Sequence, residues 1–368
     1  MSHASTINPE IPLGISAEAS EEKSRTIKLI IWDLDNTLWQ GTLLEGDSIQ
    51  LCNKVRETLA TLDQRGILHS IASKNDQDAA IGKLKEFGLE DYFLYPQMNW
   101  SSKVANIQAI GKSLNIGMDT VAFIDDDPFE REEVRHALPD LLILDAKELE
   151  GLSERPEFIP PFITEDSARR RQMYRADMER KKAEDEFIGP SEVFLASLKM
   201  KLVIAKAREE DLQRAEELTL RTNQLNTTGY TYSYQQLNEF RQSPRHLLLV
   251  ASLDDRFGDY GKIGLVLIDK TPDMWTIKLL LMSCRVMSRG VGTLLINHVL
   301  MLARENGIRL RSEFRATGRN RMMVITYKFG GFKEVEQQGP LSIFEHDLQN
   351  IPAHPDWVQI VAPVAQAS

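Results

Sequence analysis

The run Ile30-Ile31-Trp32-Asp33-Leu34-Asp35-Asn36-Thr37-Leu38 constrains this chain more than any other: an apolar, strand-like stretch stops abruptly at two carboxylates with one residue between them. Side chains alternate along a strand, but just past its end the backbone turns, so Asp33 and Asp35 can both face one cavity. An α/β enzyme keeps its chemistry at that place. A carboxylate able to attack phosphorus, a second one two residues on to carry protons, and a cation to hold both together make a phosphoryl-transfer centre. Taken alone, Asp-x-Asp also describes a strand end capped by a turn.

The surrounding pattern favours the enzyme. From Ile27 to about Asp145, short apolar runs alternate with amphipathic stretches. The reading gives strands at 28–32, 67–72, 92–94 and 120–124, and helices at 55–65, 77–87 and 105–114. Strands alternating with helices imply a parallel sheet covered on both faces, with ligands at the carboxyl ends of the strands. At those ends stand Asp33 and Asp35, then Ser73, Lys74 and Asn75, then Asp125, Asp126 and Asp127, with Lys103 opening the helix before the last strand. An acidic trio after an apolar strand is costly to gather unless a cation neutralises it, and hydroxyl and ammonium groups at the same rim are what a phosphate needs.

In order and in strand context these residues resemble the four motifs of the haloacid dehalogenase (HAD) superfamily of phosphotransferases: Asp33-x-Asp35-x-Thr37-Leu38, Ser73, Lys103 and Asp125-Asp126. The resemblance implies that Asp33 is the nucleophile and Asp35 the general acid and base. It implies Mg²⁺ held by the Asp33 carboxylate, the Asp35 main-chain carbonyl, and Asp125 or Asp126. Thr37, Ser73, Lys74 and Lys103 are expected around the phosphoryl oxygens, and Asn75 reads equally as a phosphate ligand or a turn former. Little sequence separates Asp35 from Ser73, and no large insertion follows Lys103. A HAD domain without a cap has an open site, suited to a bulky or protein-borne substrate.

Residues 156–161 break the regular pattern, and 167–187 form a heavily charged stretch with few apolar positions, read as a solvated helix in a connector spanning 156–199. The second half, 200–350, has strands expected at 202–205, 247–253, 264–268 and 275–286, with helices at 210–220 and 294–304. The longest strand leads into Arg289-Gly290-Val291-Gly292-Thr293, a glycine turn before a helix, which frees the backbone to approach an anionic ligand. Asn320 and, seven residues on, Tyr327 follow. Together these resemble the GNAT acyltransferase fold, in which such a loop holds the pyrophosphate of coenzyme A, with the asparagine and tyrosine near the thioester. Met287 departs from that pattern, which makes a pantetheine arm on a carrier protein the more attractive ligand. Cys284, with Arg285 beside it, is a candidate thiol way-station or a small core residue. In the amide-rich run Arg221-Thr222-Asn223-Gln224-Leu225-Asn226, caps and turns explain any one residue, while Thr222, Asn223 and Gln224 together are equally candidates for holding polar glyceryl or pantetheine groups.

The two halves together resemble the FkbH-like proteins of polyketide and mixed peptide pathways, from about Ile27 to Val335. That resemblance implies a glyceryl transferase/phosphatase, with a phosphorylated three-carbon substrate such as 1,3-bisphosphoglycerate and an acyl carrier protein with a phosphopantetheine arm as partner. The expected fold is therefore a HAD-like Rossmannoid parallel-sheet α/β domain at 27–155, followed by a GNAT-like α/β domain. Segments 1–26 and 351–368 read as tails. A net charge of -10 argues against nonspecific nucleic-acid or anionic-membrane binding. No membrane-length apolar run and no signal peptide are read, and two cysteines, Cys52 and Cys284, fit a cytoplasmic protein.

Overall fold

A computed structural model describes residues 15–16 and 25–362, and the chain divides into two compact units, Glu22–Lys182 and Ala183–Ser368 with the N-terminal Met1–Glu21. Most of the expected N-terminal tail and residues 363–368 lie outside the described residues.

In the first unit five parallel strands stand in the order Gln97–Met98, Leu68–Ser73, Leu29–Trp32, Val121–Asp125, Leu142–Asp145. The central strand is buried on both faces because its side chains alternate between two cores. Ile30 and Trp32 pack with Val55, Leu59 and Leu62 of the helix Val55–Gln64, whereas Leu29 and Ile31 pack with Ile107, Ile110 and Leu114 of the helix Lys103–Leu114. Both faces being covered, only the strand ends are open for chemistry.

Two expectations need correction here. The strand placed at 92–94 lies at Gln97–Met98: Phe93 and Leu94 are buried, but they make only one bridge and one hydrogen bond to His69 before the chain turns at Tyr95, whose φ is 49°. The connector helix Arg170–Asp185 is not simply solvated. Met173 is buried, Tyr174 and Met178 pack on the first unit's core, and Arg171 pairs with Asp63 while lying 4.6 Å from the Tyr92 ring centroid.

The second unit is an eight-stranded mixed sheet in the order Lys333–Gln338, Leu341–His346, Arg309–Arg315, Met274–Met282, Gly258–Lys270, His246–Asp255, Met200–Lys206, Val358–Val361. The helices Leu212–Arg221 and Tyr234–Gln242 cover one face, and Val291–Glu305 and Arg321–Phe329 the other. The expected C-terminal tail is in part a strand, since Val358–Val361 pairs in parallel with Met200–Lys206 and buries Val358. Met274–Met282 and Arg309–Arg315 are parallel but pair only from Met274 to Ile277 against Arg309 to Ser312, after which they part.

Candidate active site

Asp33, Ser73 and Asp125 each end or directly follow a parallel strand, so the sheet itself brings them to one rim. Lys103 reaches the same point from the first turn of its helix, which Ser102 caps through the Ala105 amide. Its ammonium lies 2.5 Å from Oδ1 of Asp33 and 2.7 Å from Oδ2 of Asp125, and all three side chains are buried. The Asp127 amide donates to the other Asp125 oxygen at 2.8 Å.

Burial pushes the Asp33 carboxyl up to about 7; Lys103 and the Ser73 hydroxyl pull it down, and the neighbouring Asp125 charge adds to the rise. Burial likewise raises Asp125 against the pull of Lys103, and raises Asp126, where the Asp125 charge adds to the effect. Burial works against the Lys103 ammonium, but the two carboxylates outweigh it and hold its pKa above the ordinary value.

Oxygen atoms of Asp33, Asp125 and Asp126 all lie within 4.8 Å of one another. Three carboxylates face one ammonium, so the cluster keeps negative charge to spare and its donors are all hard oxygens. This set fits Mg²⁺. Neither of Asp125 and Asp126 is singled out: Asp125 is buried and tied to Lys103, Asp126 exposed.

Asp35 sits in the turn two residues on, with Asn36 in the left-handed region at φ 53°. Its carboxylate takes three donors: the Trp39 indole N–H at 2.7 Å and the Leu43 amide at 3.2 Å on Oδ1, and the Asn75 side-chain amide at 2.9 Å on Oδ2. Asn75 is buried and also 3.5 Å from the Ser73 hydroxyl, so it joins Asp35 to the loop that follows Leu68–Ser73. Thr37 is fully buried, and its hydroxyl has no hydrogen-bond partner among the described residues. Lys74 turns to Glu130 of the helix Pro128–Ala137, at 2.6 Å, and so ties the loop after one strand to the helix after another. Trp39 had no role in the sequence reading; its spacing of four from Asp35 on the far side of a tight turn was the available signal.

The residues expected at an acyl site are placed differently. Gly290 adopts φ 69° and opens the helix Val291–Glu305 without a side-chain cap, and Thr293 stands exposed in its first turn. Arg289, however, is buried and bonded at 3.0 Å to Glu184, and Val291 and Gly292 are buried, with the Met282 methyl carbon 2.8 Å from where a Gly292 Cβ would stand. Asn320 is buried and committed to the backbone: it donates to the carbonyls of Asn226 and Arg315 at 2.9 Å and accepts from the Thr317 amide.

Tyr327 is buried among Phe332 and Phe344, and burial raises its phenol while Thr227 and Ser312 pull it down. Residues 225–228 wedge between the parting strands: the Thr227 amide donates to the Leu280 carbonyl and Met282 to Leu225 on one side, and Arg315 donates to the Thr227 carbonyl on the other. Asn223 and Gln224, just before the wedge, are exposed. Cys284 is half-buried at the start of the turn Cys284–Arg289 and packs against the core, while Arg285 donates to the Tyr260 carbonyl. Cys52 is pushed up by burial and by Asp126, which disfavours its thiolate.

Residues 37–137 match the family model of haloacid dehalogenase-like hydrolases, a span that begins two residues after Asp35. No curated protein matches the chain. Among solved structures, the N-terminal part of the protein BF1531 from Bacteroides fragilis, containing a phosphatase domain complexed with Mg, is 29% identical with a TM-score of 0.35, over 37% of this chain and 42% of that one. This chain thus spans less than half the length of that solved chain. The ribosomal-protein-S18-alanine N-acetyltransferase of Escherichia coli is 17% identical over 42% of this chain and 97% of its own, with a TM-score of 0.32. The PaiA N-acetyltransferase of Thermoplasma acidophilum, in complex with coenzyme A, is 17% identical over 39% and 98%, with a TM-score of 0.30. The chain carries a HAD-like hydrolase domain on a parallel α/β sheet, followed by a second α/β unit built on a mixed sheet. Among the described residues no helix is long and apolar enough to cross a membrane.

Proposed function

We propose that this chain is a magnesium-dependent phosphoryl-transfer enzyme in which Asp33 attacks a phosphomonoester. The observation that carries this reading is the meeting of Asp33, Asp125, Asp126 and Lys103 at one sheet rim, with Ser73 facing Asp33. An Asp33 oxygen bonds to phosphorus as the ester oxygen leaves with the bonding pair and takes a proton from Asp35. Water then attacks the aspartyl-phosphate, gives a proton to Asp35, and returns Asp33 as its carboxylate with inorganic phosphate released. Lys103 and Ser73 stabilise the charge that builds on the phosphoryl oxygens. Mg²⁺, when bound by Asp33 and by Asp125 or Asp126, would supply the positive charge that keeps these acids ionised beside an anionic substrate.

The resemblance to FkbH-like proteins refines the substrate to 1,3-bisphosphoglycerate or a related acyl phosphate, whose glyceryl or hydroxyacyl unit passes to the pantetheine thiol of an acyl carrier protein in the cytoplasm. Phosphate release from p-nitrophenyl phosphate with and without Mg²⁺, and its loss in Asp33→Asn, tests the phosphoryl chemistry. Intact-mass measurement of a holo acyl carrier protein incubated with the chain, Mg²⁺ and 1,3-bisphosphoglycerate tests the loading. Phosphate release with no mass gain rejects the loading and keeps the phosphatase.

A second reading has one specific observation in its favour. Residues 225–228 close the gap between the parting strands, and Asn320 is spent on holding them there. This favours a phosphatase whose GNAT-like domain is noncatalytic.

A further inference from the structure

The three donors on Asp35 determine more than its orientation. An ionised carboxylate oxygen offers about two lone-pair positions. On Oδ1 both are taken, by the Trp39 indole and the Leu43 amide, whereas Oδ2 receives only Asn75. An indole nitrogen and a peptide nitrogen can only donate, so neither contact on Oδ1 can reverse when Asp35 becomes protonated. Trp39 is itself immobile: its ring is fully buried, packed against Phe87, and its backbone forms a short hairpin with Leu51. Asn75, on the side facing Ser73, marks Oδ2 as the oxygen turned toward the phosphate-binding loop.

Resting on the phosphoryl-transfer reading above, we propose that Trp39 is the positioning residue of the acid–base step: by filling Oδ1 together with the Leu43 amide, it makes Oδ2 of Asp35 the oxygen that gives a proton to the leaving group and takes one from water. Trp39 touches neither substrate nor metal; it acts through Asp35.

The test separates the two half-reactions in the full chain with Mg²⁺. p-Nitrophenolate leaves without a proton, so formation of the aspartyl-phosphate from p-nitrophenyl phosphate does not need Asp35, while its hydrolysis does. Trp39→Phe keeps an aromatic ring and removes the N–H. The expected result is a burst of p-nitrophenol near one equivalent of enzyme, then steady turnover slowed by about tenfold or more. With β-glycerophosphate, whose alkoxide needs a proton to leave, turnover slows at least as much and no burst of glycerol appears. Asp35→Asn gives the same burst, and Trp39→His, which restores a ring N–H, recovers part of the steady rate.

Wild-type rates in Trp39→Phe overturn the proposal. So does an equal fall in burst rate and steady rate, which is the signature of lost packing alone. If Trp39→Phe fails to fold, Trp39→3-benzothienylalanine, which keeps the fused ring and lacks only the N–H, is expected to show the burst; its absence overturns the proposal. An active wild type with any of these failures rejects only the role of Trp39, whereas a wild type inert toward both esters rejects the phosphoryl-transfer reading with it.

Discussion

The ammonium of Lys103 stands 2.5 Å from Asp33, a residue seventy positions earlier, and both side chains are buried. Because the same nitrogen also holds Asp125, one cation balances two carboxylates that the sheet has forced together. Replacing it leaves those acids facing each other without compensation. Lys103→Met is expected to lower the stability of the metal-free protein by about 3 kcal/mol above neutral pH, and to cut turnover by about a hundredfold or more. Thermal unfolding with EDTA and kcat with p-nitrophenyl phosphate measure the two effects.

Metal binding should report the protonation of the same cluster. With the Asp33 carboxyl raised to about 7, the metal-free site holds a proton below neutrality that Mg²⁺ must displace. Affinity is therefore expected to fall by up to about tenfold for each pH unit below 7, with release of nearly one proton on binding at low pH. Calorimetry in buffers of different ionisation enthalpy reads both quantities. An affinity unchanged across that range contradicts the cluster as the metal site.

Two buried groups of the first unit pull its stability in opposite directions over one pH window. Asp33 has a folded pKa above its unfolded value of 3.8, so the stability it contributes is full below that value and is lost as pH rises through about 7. His69 accepts from the Trp32 indole and is held down to about 3, by burial first and then by the Arg171 charge, against 6.5 when unfolded. Its unfolded form binds the extra proton, so stability is lost as pH falls from 6.5 toward 3. Each slope is at most about 1.4 kcal/mol per pH unit, and in the metal-free wild type they offset. Asp33→Asn should expose the histidine slope and become less stable on acidification. His69→Gln should expose the opposite slope. Melting temperatures between about pH 4.5 and 6.5 check both signs.

Asn320 offers a test in the second unit. Its removal leaves the Asn226 and Arg315 carbonyls and the Thr317 amide without their buried partner. Asn320→Ala is expected to cost about 3 kcal/mol, read from chemical denaturation of the full chain. A change confined to thioester binding, with stability intact, would instead make Asn320 a ligand-binding residue.

The meeting of Asp33, Lys103, Asp125 and Asp126 was legible because three of them stand where strands end, and the apolar runs 28–32, 67–72 and 120–124 stop at polar residues sharply enough to be counted. The strand Gln97–Met98 was not legible: it is two residues long and partly polar, while the nearby apolar run 92–94 is buried as a turn. Arg171 and Met173 show a different limit. A helix that packs through an arginine over an aromatic ring, with few apolar positions, has the composition of a solvated one. In the amide-rich run that ends at Asn226, Asn223 and Gln224 stand exposed, whereas Asn226 accepts from the Thr228 and Gly229 amides and the adjoining Thr227 hydroxyl accepts from the Leu280 amide, since such side chains serve backbone groups as readily as ligands.

The wedge at 225–228 has a consequence for solubility. Where Met274–Met282 and Arg309–Arg315 part, each would otherwise present a bare ladder of peptide groups, and such an edge recruits strands from other chains. By pairing with both, a few internal residues act as a guard against self-association, so damage to them should surface as aggregates in the test tube before it surfaces as any change in chemistry.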